Sequence, residues 1–225
     1  MFQINNTLSF KGLDKLLEVY NELDASIMDF KSATELDCAA YCRECCGTSA
    51  QKVEASVFEV LPLSIHLWQK GEAEYWLQKI YDSDSHAPCV LYNPDPSLQP
   101  ESGCSAYMWR PLVCRLFGFS AMLNKHGKPV VMLCKHMKRL NPDLEGRIQN
   151  MVDRGLNVPI NSYYAQKVSL INPSLGQTRY PINEALRRAL EMVGFRIALI
   201  NENRVNHFDN TPGKPPKRPP IKKSA

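Results

Sequence analysis

The sequence lacks the features that would direct the chain to a membrane or through it. It has no run of about 18 consecutive apolar residues, so no transmembrane helix is predicted. Residues 1–10 have no basic start, no long apolar stretch and no small-residue cleavage site, which argues against a secretory signal. We therefore expect a cytoplasmic protein without a membrane partner.

Motifs of several enzyme classes are also absent. There is no G-x-G-x-x-G, no Gly-rich phosphate-binding loop with Lys and no H-E-x-x-H. No local signature of a cysteine protease is present, and a single nucleophilic thiol would not need further cysteines around it. The motifs therefore leave open whether the chain catalyses a reaction.

Acidic residues are absent from residues 210–225, which carry five basic residues. The whole chain has a net charge of +4, so subtracting this +5 leaves about −1 for residues 1–209. A near-neutral body gives no reason to predict a nucleic-acid-binding face. We expect a single domain over residues 1–205, followed at 206–225 by a disordered tail rich in Pro and Lys, which cannot bury a core.

Cysteine is absent from both ends of the chain and concentrated between them. The eight cysteines are Cys38, Cys42, Cys45, Cys46, Cys89, Cys104, Cys114 and Cys134. A core uses cysteine as an occasional small apolar residue, so packing does not explain this clustering. A reducing compartment disfavours disulfides, whereas closely spaced thiolates lose little chain entropy when they converge on one ion. The cysteines therefore predict a metal site.

The thiols leave the kind and number of centres open. Four thiolates satisfy a tetrahedral zinc ion and also an iron–sulfur cluster. Adjacent side chains diverge in a helix or a strand, so Cys45 and Cys46 are not expected to bind one ion together, which favours two neighbouring centres or a bridged one. His86 and His136 are near enough to Cys89 and Cys134 to complete a site, although a lone histidine has many other roles.

Hydrophobic periodicity predicts a mainly α-helical fold with a small β hairpin (an α+β architecture) around an irregular cysteine-rich core at 38–136. Five segments have apolar residues at helical spacing: 11–31, 58–70, 72–80, 142–154 and 183–200. Two apolar runs, 119–123 and 129–133, flank a turn and predict the hairpin. The prolines of residues 83–118 exclude a long helix there, so we expect a bound metal to order that segment.

In order along the chain, these residues resemble the YkgJ-type cysteine-cluster family, the CxxCxxCC zinc- or iron-chelating domain. The matching pieces are Cys38-x3-Cys42-x2-Cys45-Cys46, Cys89, Cys104, Arg110-Pro111-x-x-Cys114-Arg115 and Met132-Leu-Cys134. The resemblance covers about residues 38–136. The sequence departs from the family pattern in its three-residue first gap, in Arg43 and in residues 116–118. The resemblance implies metal chelation by the eight cysteines and assigns no reaction.

Arg110 and Arg115 flank a cysteine in that signature. Guanidinium groups beside thiolates would offset their negative charge and donate hydrogen bonds to sulfur. A surface salt bridge is the alternative for each arginine. Tyr107 and Trp109 are expected to shield the site from water.

Three functions remain open from the sequence. The first is a metal-binding protein that holds zinc or an iron–sulfur centre, with a metal ion as its predicted partner and no protein partner identified. The second is an iron–sulfur-dependent protein-modifying enzyme, by analogy to the flagellin lysine methylases that carry a similar cysteine cluster, although no S-adenosylmethionine motif is recognisable. The third is a zinc-based nucleic-acid-binding module, supported only by the basic tail.

Overall fold

The computed structural model describes residues 10–38, 45–84, 86–95 and 103–209, with only the backbone for 203–209. Within these residues the fold is mainly α-helical with small two-stranded antiparallel sheets, which confirms the predicted fold class. Cys42 and most of the expected tail lie outside the described residues. None of the described helices has the length and apolar character needed to cross a membrane.

The helices account for most of the described chain. They are α1 (Leu13–Thr34), α2 (Val57–Gln69), α3 (Ala73–Tyr81), α4 (Leu112–Leu116), α5 (Lys135–Leu140), α6 (Leu144–Asp153), α7 (Asn161–Ile171), α8 (Pro173–Gly176) and α9 (Ile182–Asp209). The strands are β1 (Glu54–Ser56), β2 (Tyr92–Asn93), β3 (Gly103–Cys104), β4 (Ser120–Leu123), β5 (Pro129–Met132) and β6 (Arg179–Pro181). They form three antiparallel ribbons: β1 with β6, β2 with β3, and β4 with β5.

The five predicted helices correspond to α1, α2, α3, α6 and α9, and the predicted hairpin is β4–β5. Helix α9 was expected to end at Ile200 but continues to Asp209, so it extends into the segment assigned to the tail. The sequence analysis does not predict α7. Only Tyr164 and Val168 are buried along α7, so its apolar periodicity is weak.

Helix α2 is the central element of the core. Residues 57–65 and Leu67 are all buried, and a helix buried on every side needs other elements around it. Helices α1, α3 and α9 provide that cover. A capping box starts α2: Ser56 Oγ accepts from the Glu59 N–H at 3.3 Å, and Glu59 Oε2 accepts from the Ser56 N–H at 2.8 Å.

The apolar core has two parts that meet at Trp68. The larger part includes α1 and most of α2, and the smaller part includes α3 and the residues around Cys89 and Cys104. Trp68 packs against both parts, and its Nε1 donates to the Leu190 carbonyl at 2.8 Å. A Cβ at Gly194 would lie 2.5 Å from Trp68 Cζ2. The fixed indole therefore requires glycine at this position of α9.

We expect Gly194→Ala to destabilise the fold. Alanine would gain about 1 kcal/mol in helix propensity, but the clash with the indole should cost more, leaving a net loss of about 1–2 kcal/mol in the free energy of unfolding. Gly146→Ala in α6 is the matched control, because a Cβ there meets nothing within 4 Å. Urea unfolding should show Gly146→Ala neutral or stabilised. Equal stabilisation of both variants would show that Trp68 does not constrain α9.

Candidate metal centre

Two backbone pairings bring distant cysteine-bearing segments together. Residues 45–50 meet residues 87–89 through an isolated antiparallel bridge, in which the Ala50 N–H lies 2.9 Å from the Ala87 carbonyl oxygen. Strands β2 and β3 then pair Tyr92 with Cys104. These contacts place the segments of Cys45–Cys46, Cys89 and Cys104 side by side.

Asn183 at the start of α9 holds the Cys89 segment in place. Its Nδ2 donates to the Pro88 carbonyl at 3.2 Å, and its Oδ1 accepts from the Val90 N–H at 3.0 Å. Both peptide groups next to Cys89 are therefore tied to the core. The sequence analysis missed this role, because an asparagine at the start of a predicted helix indicates an ordinary capping residue.

The Sγ atoms of Cys45 and Cys46 lie 3.8 Å apart. The expectation that these adjacent side chains diverge is therefore wrong: both residues follow α1 in a turn, outside any helix or strand. Tetrahedral ligation at a metal–sulfur distance of about 2.3 Å requires an Sγ–Sγ separation of about 3.8 Å. The pair thus fits two ligands of one thiolate-bound zinc or iron ion.

The protonation of Cys46 is linked to Cys104 as well as to Cys45, and these three residues are called the thiol trio below. The hydrogen bonds of Cys46 to Cys104 and then to Cys45 raise its own pKa. The bond from Cys46 lowers the pKa of Cys45 to about 6 and that of Cys104 to about 7. Protonation of Cys46 therefore favours the thiolate form of Cys45 and of Cys104.

Cys89 and Cys114 interact electrostatically with this trio and, like its members, are half-buried. Burial raises the pKa of Cys89 to about 12, and the negative charge of Cys104 adds to the rise. Burial also raises the pKa of Cys114, followed by the charges of Cys89 and Cys104. Five thiols from four stretches of chain therefore share one electrostatic environment.

Arg110 supplies positive charge to this group of thiols. Its charge contributes to lowering the pKa values of Cys45 and Cys104 and opposes the rise at Cys114. The guanidinium stacks 3.5 Å from the Tyr107 ring centroid, and its Nε donates to the Tyr107 carbonyl at 2.9 Å. Tyr107 thus orients Arg110, while its own ring stays 57% exposed.

Arg115 has a different set of contacts. Its side chain is buried, and it donates to the carbonyls of Arg110 at 2.7 Å and Met108 at 2.8 Å and to the Asp24 carboxylate. Its guanidinium also lies 4.5 Å from the Tyr20 ring centroid. Among the hydrogen bonds of the described residues, none joins Arg115 to sulfur. Arg115 therefore fastens the loop between Cys104 and Cys114 to α1.

The remaining predicted ligands have different surroundings. Cys134 caps α5, where its Sγ accepts from the Met137 N–H at 3.4 Å, and it packs against the larger core cluster. Cys38 is exposed and lies four residues after the end of α1. Cys42 lies outside the described residues, and among the residues that are described no three Cys, His, Asp or Glu side chains are already gathered as a metal site. Within that described part, no contact joins His86 or His136 to a thiol.

Comparison with family models identifies this region. Residues 37–139 match the CxxCxxCC family, described as "Putative zinc- or iron-chelating domain". This match confirms the predicted resemblance to the family. The description supports metal binding and a metal ion as partner, and it names zinc and iron without choosing between them. Comparisons with curated proteins and with solved structures found no match.

The thiols should differ in the pH dependence of their alkylation, because only the thiolate reacts. In the metal-free, reduced protein, the iodoacetamide rate at Cys45 should level off above about pH 7, since its pKa is about 6. The rate at Cys89 should still be rising at about pH 10, because its pKa is about 12. Peptide mass spectrometry gives each rate, and unfolded protein is the control. Parallel profiles in the folded protein would contradict this electrostatic arrangement.

Arg115→Lys should destabilise the protein although it keeps the charge. Lysine can still pair with Asp24, but it lacks the planar fork that reaches two carbonyls, so we expect a loss of about 2–3 kcal/mol in the free energy of unfolding. Arg154→Lys, at an exposed position after α6, should change it by less than about 0.5 kcal/mol. Chemical denaturation measures both, and similar values for the two variants would rule out the proposed fastening role.

Proposed function

We propose that this protein binds zinc or iron through a thiolate centre built on Cys45, Cys46 and Cys104. The single observation that carries the proposal is that the Cys45–Cys46 thiol pair, with its Sγ atoms 3.8 Å apart, lies in a segment that backbone pairings bring beside that of the distant Cys104. The family match supports the same conclusion independently. Thiolates are ligands that suit both zinc and iron–sulfur centres.

Further ligands would come from the thiols around this trio. Cys89 and Cys114 share its electrostatic environment, and Cys42 lies between Cys38 and Cys45 in sequence. A bound zinc ion would supply a structural crosslink, whereas an iron–sulfur centre would supply one-electron chemistry. In either case the chain's own residues would hold the thiols together, and Arg110 would offset part of their negative charge.

Cys134 is proposed to act as a helix cap instead of a metal ligand. Its Sγ accepts the Met137 N–H at the start of α5, and its surroundings belong to the larger core cluster. This assignment differs from the eight-cysteine ligand set implied by the family resemblance. It also makes Cys134 a useful control, because serine caps helices at least as well as cysteine.

Cysteine variants with metal analysis test the proposal. Protein purified without oxygen should contain zinc or iron, measured by elemental analysis, and an iron–sulfur centre would add acid-labile sulfide and a visible absorption band. Cys46→Ser and Cys104→Ser should each lose most of the bound metal, because a hydroxyl is a poor substitute for a thiolate. Cys134→Ser should keep the full metal content.

Two results would contradict this assignment. Full metal content in both Cys46→Ser and Cys104→Ser would exclude the thiol trio as the centre. Metal loss in Cys134→Ser, without loss of folding by circular dichroism, would make Cys134 a ligand. The alternatives predicted from the sequence, a protein-modifying enzyme and a nucleic-acid-binding module, remain predictions that neither the comparisons nor the described residues address.

A further inference from the structure

A cavity of about 470 Å³ lies between α1, Pro62 of α2 and the loop that joins Cys104 to Cys114. Its lining includes Asp14, Glu18 and Tyr20 from α1, with Trp109 and Arg115 from the loop. The volume falls in the range of small-molecule sites. The metal-binding proposal does not use this cavity, whose lining residues include no cysteine.

The loop contributes an aromatic side chain to the cavity wall, and a contact with α2 holds that side chain in place. Trp109 stacks on His66 of α2, with ring centroids 4.5 Å apart and an interplanar angle of 27°. Tyr20 of α1 is buried: its hydroxyl donates to the Glu59 carbonyl at 2.9 Å, and the Arg115 guanidinium lies 4.5 Å from its ring centroid. Trp109 is therefore the aromatic group of the lining that a ligand could contact, and an indole face attracts cations as well as apolar groups.

The residues that line the cavity have a net negative charge, because the positive charge of Arg115 is cancelled by Asp24 and two further carboxylates remain. Arg115 is offset by its ion pair with Asp24, and its guanidinium is further engaged by two backbone carbonyls. Asp14 and Glu18 remain on the rim, one helical turn apart on the same face of α1. Among the described residues, no basic side chain forms a salt bridge with either carboxylate, and neither Lys11 nor Lys15 lines the cavity.

From this arrangement we propose that the cavity binds an organic cation with an apolar stem, such as an alkylammonium group. The stem would pack against the apolar lining residues Trp109, Leu17 and Pro62. The cationic head would face Asp14 and Glu18. Arg115 does not favour an anion here, because its guanidinium already serves Asp24 and the loop backbone. The same chemistry fits a free amine and a lysine side chain of another protein.

The cavity lies against the loop that carries Cys104 and leads to Cys114. Met108, Trp109 and Arg115 line it, and all three lie between Cys104 and Cys114 or next to Cys114. A ligand in the cavity would therefore touch the loop that carries two of the thiols. The inference itself depends on the cavity and its charge, and it holds whichever metal the cysteines bind.

Saturation-transfer NMR on the full chain, with its metal as purified, tests the proposal. The probes are n-pentylammonium, acetyl-lysine methylamide, 1-pentanol and pentanoate, titrated to about 10 mM. We expect both cations to bind, with 1-pentanol and pentanoate at least about fivefold weaker, because each partly exposed charge pair contributes modestly. Tighter binding of acetyl-lysine methylamide than of n-pentylammonium would assign the site to a peptide side chain, and the reverse would assign it to a free amine.

A charge-matched pair of variants makes the test specific to the cavity. Asp14→Asn with Glu18→Gln should weaken n-pentylammonium binding about fivefold to tenfold and leave 1-pentanol binding unchanged. Asp29→Asn with Glu74→Gln removes the same charge at exposed positions outside the lining and should change neither. The proposal is overturned if pentanoate binds as well as the cation, if both double variants weaken cation binding equally, or if no cation binds.

Discussion

The guanidinium of Arg115 determines the path of the loop on which the candidate centre depends. Buried at the end of that loop, it holds two carbonyls of the loop and the Asp24 carboxylate of α1 at once. A buried charge is tolerated only when it is paired and hydrogen-bonded, and here each direction of the guanidinium fork has an acceptor. Cys104, Arg110 and Cys114 are positioned by this loop, and so is the wall of the cavity beside α1.

Without bound protons or a metal ion, the clustered cysteines would be thiolates that repel one another. Burial and then the charge of neighbouring cysteines raise the pKa values of Cys89 and Cys114, and hydrogen bonding to Cys104 and Cys45 raises that of Cys46. Arg110 opposes the rise at Cys114. The backbone pairings, the Asn183 side chain and the Arg115 fork hold these groups close in spite of their repulsion. A metal cation would replace the shared protons and turn this repulsion into ligation, which is why such an arrangement favours metal binding.

The sequence alone predicts the parts of this structure that follow from local patterns. The sequence was enough to predict helices α1 and α2 from their periodicity, the β4–β5 hairpin, and the metal-binding character of the cysteine-rich region. The closeness of Cys45 and Cys46 could not be predicted, because it depends on a turn whose geometry has no periodic signal. Contacts between distant segments could not be predicted either. Asn183 resembles a capping residue, and the sequence left a link to sulfur and a salt bridge open for Arg115, of which the structure has the ion pair with Asp24.

The most direct measurement of the central claim is X-ray absorption at the zinc or iron edge of the full-length protein purified without oxygen. The account predicts a first shell dominated by sulfur at about 2.3 Å, with about four sulfur neighbours per metal ion. A first shell of nitrogen and oxygen alone would contradict the claim that this arrangement of cysteines holds the metal.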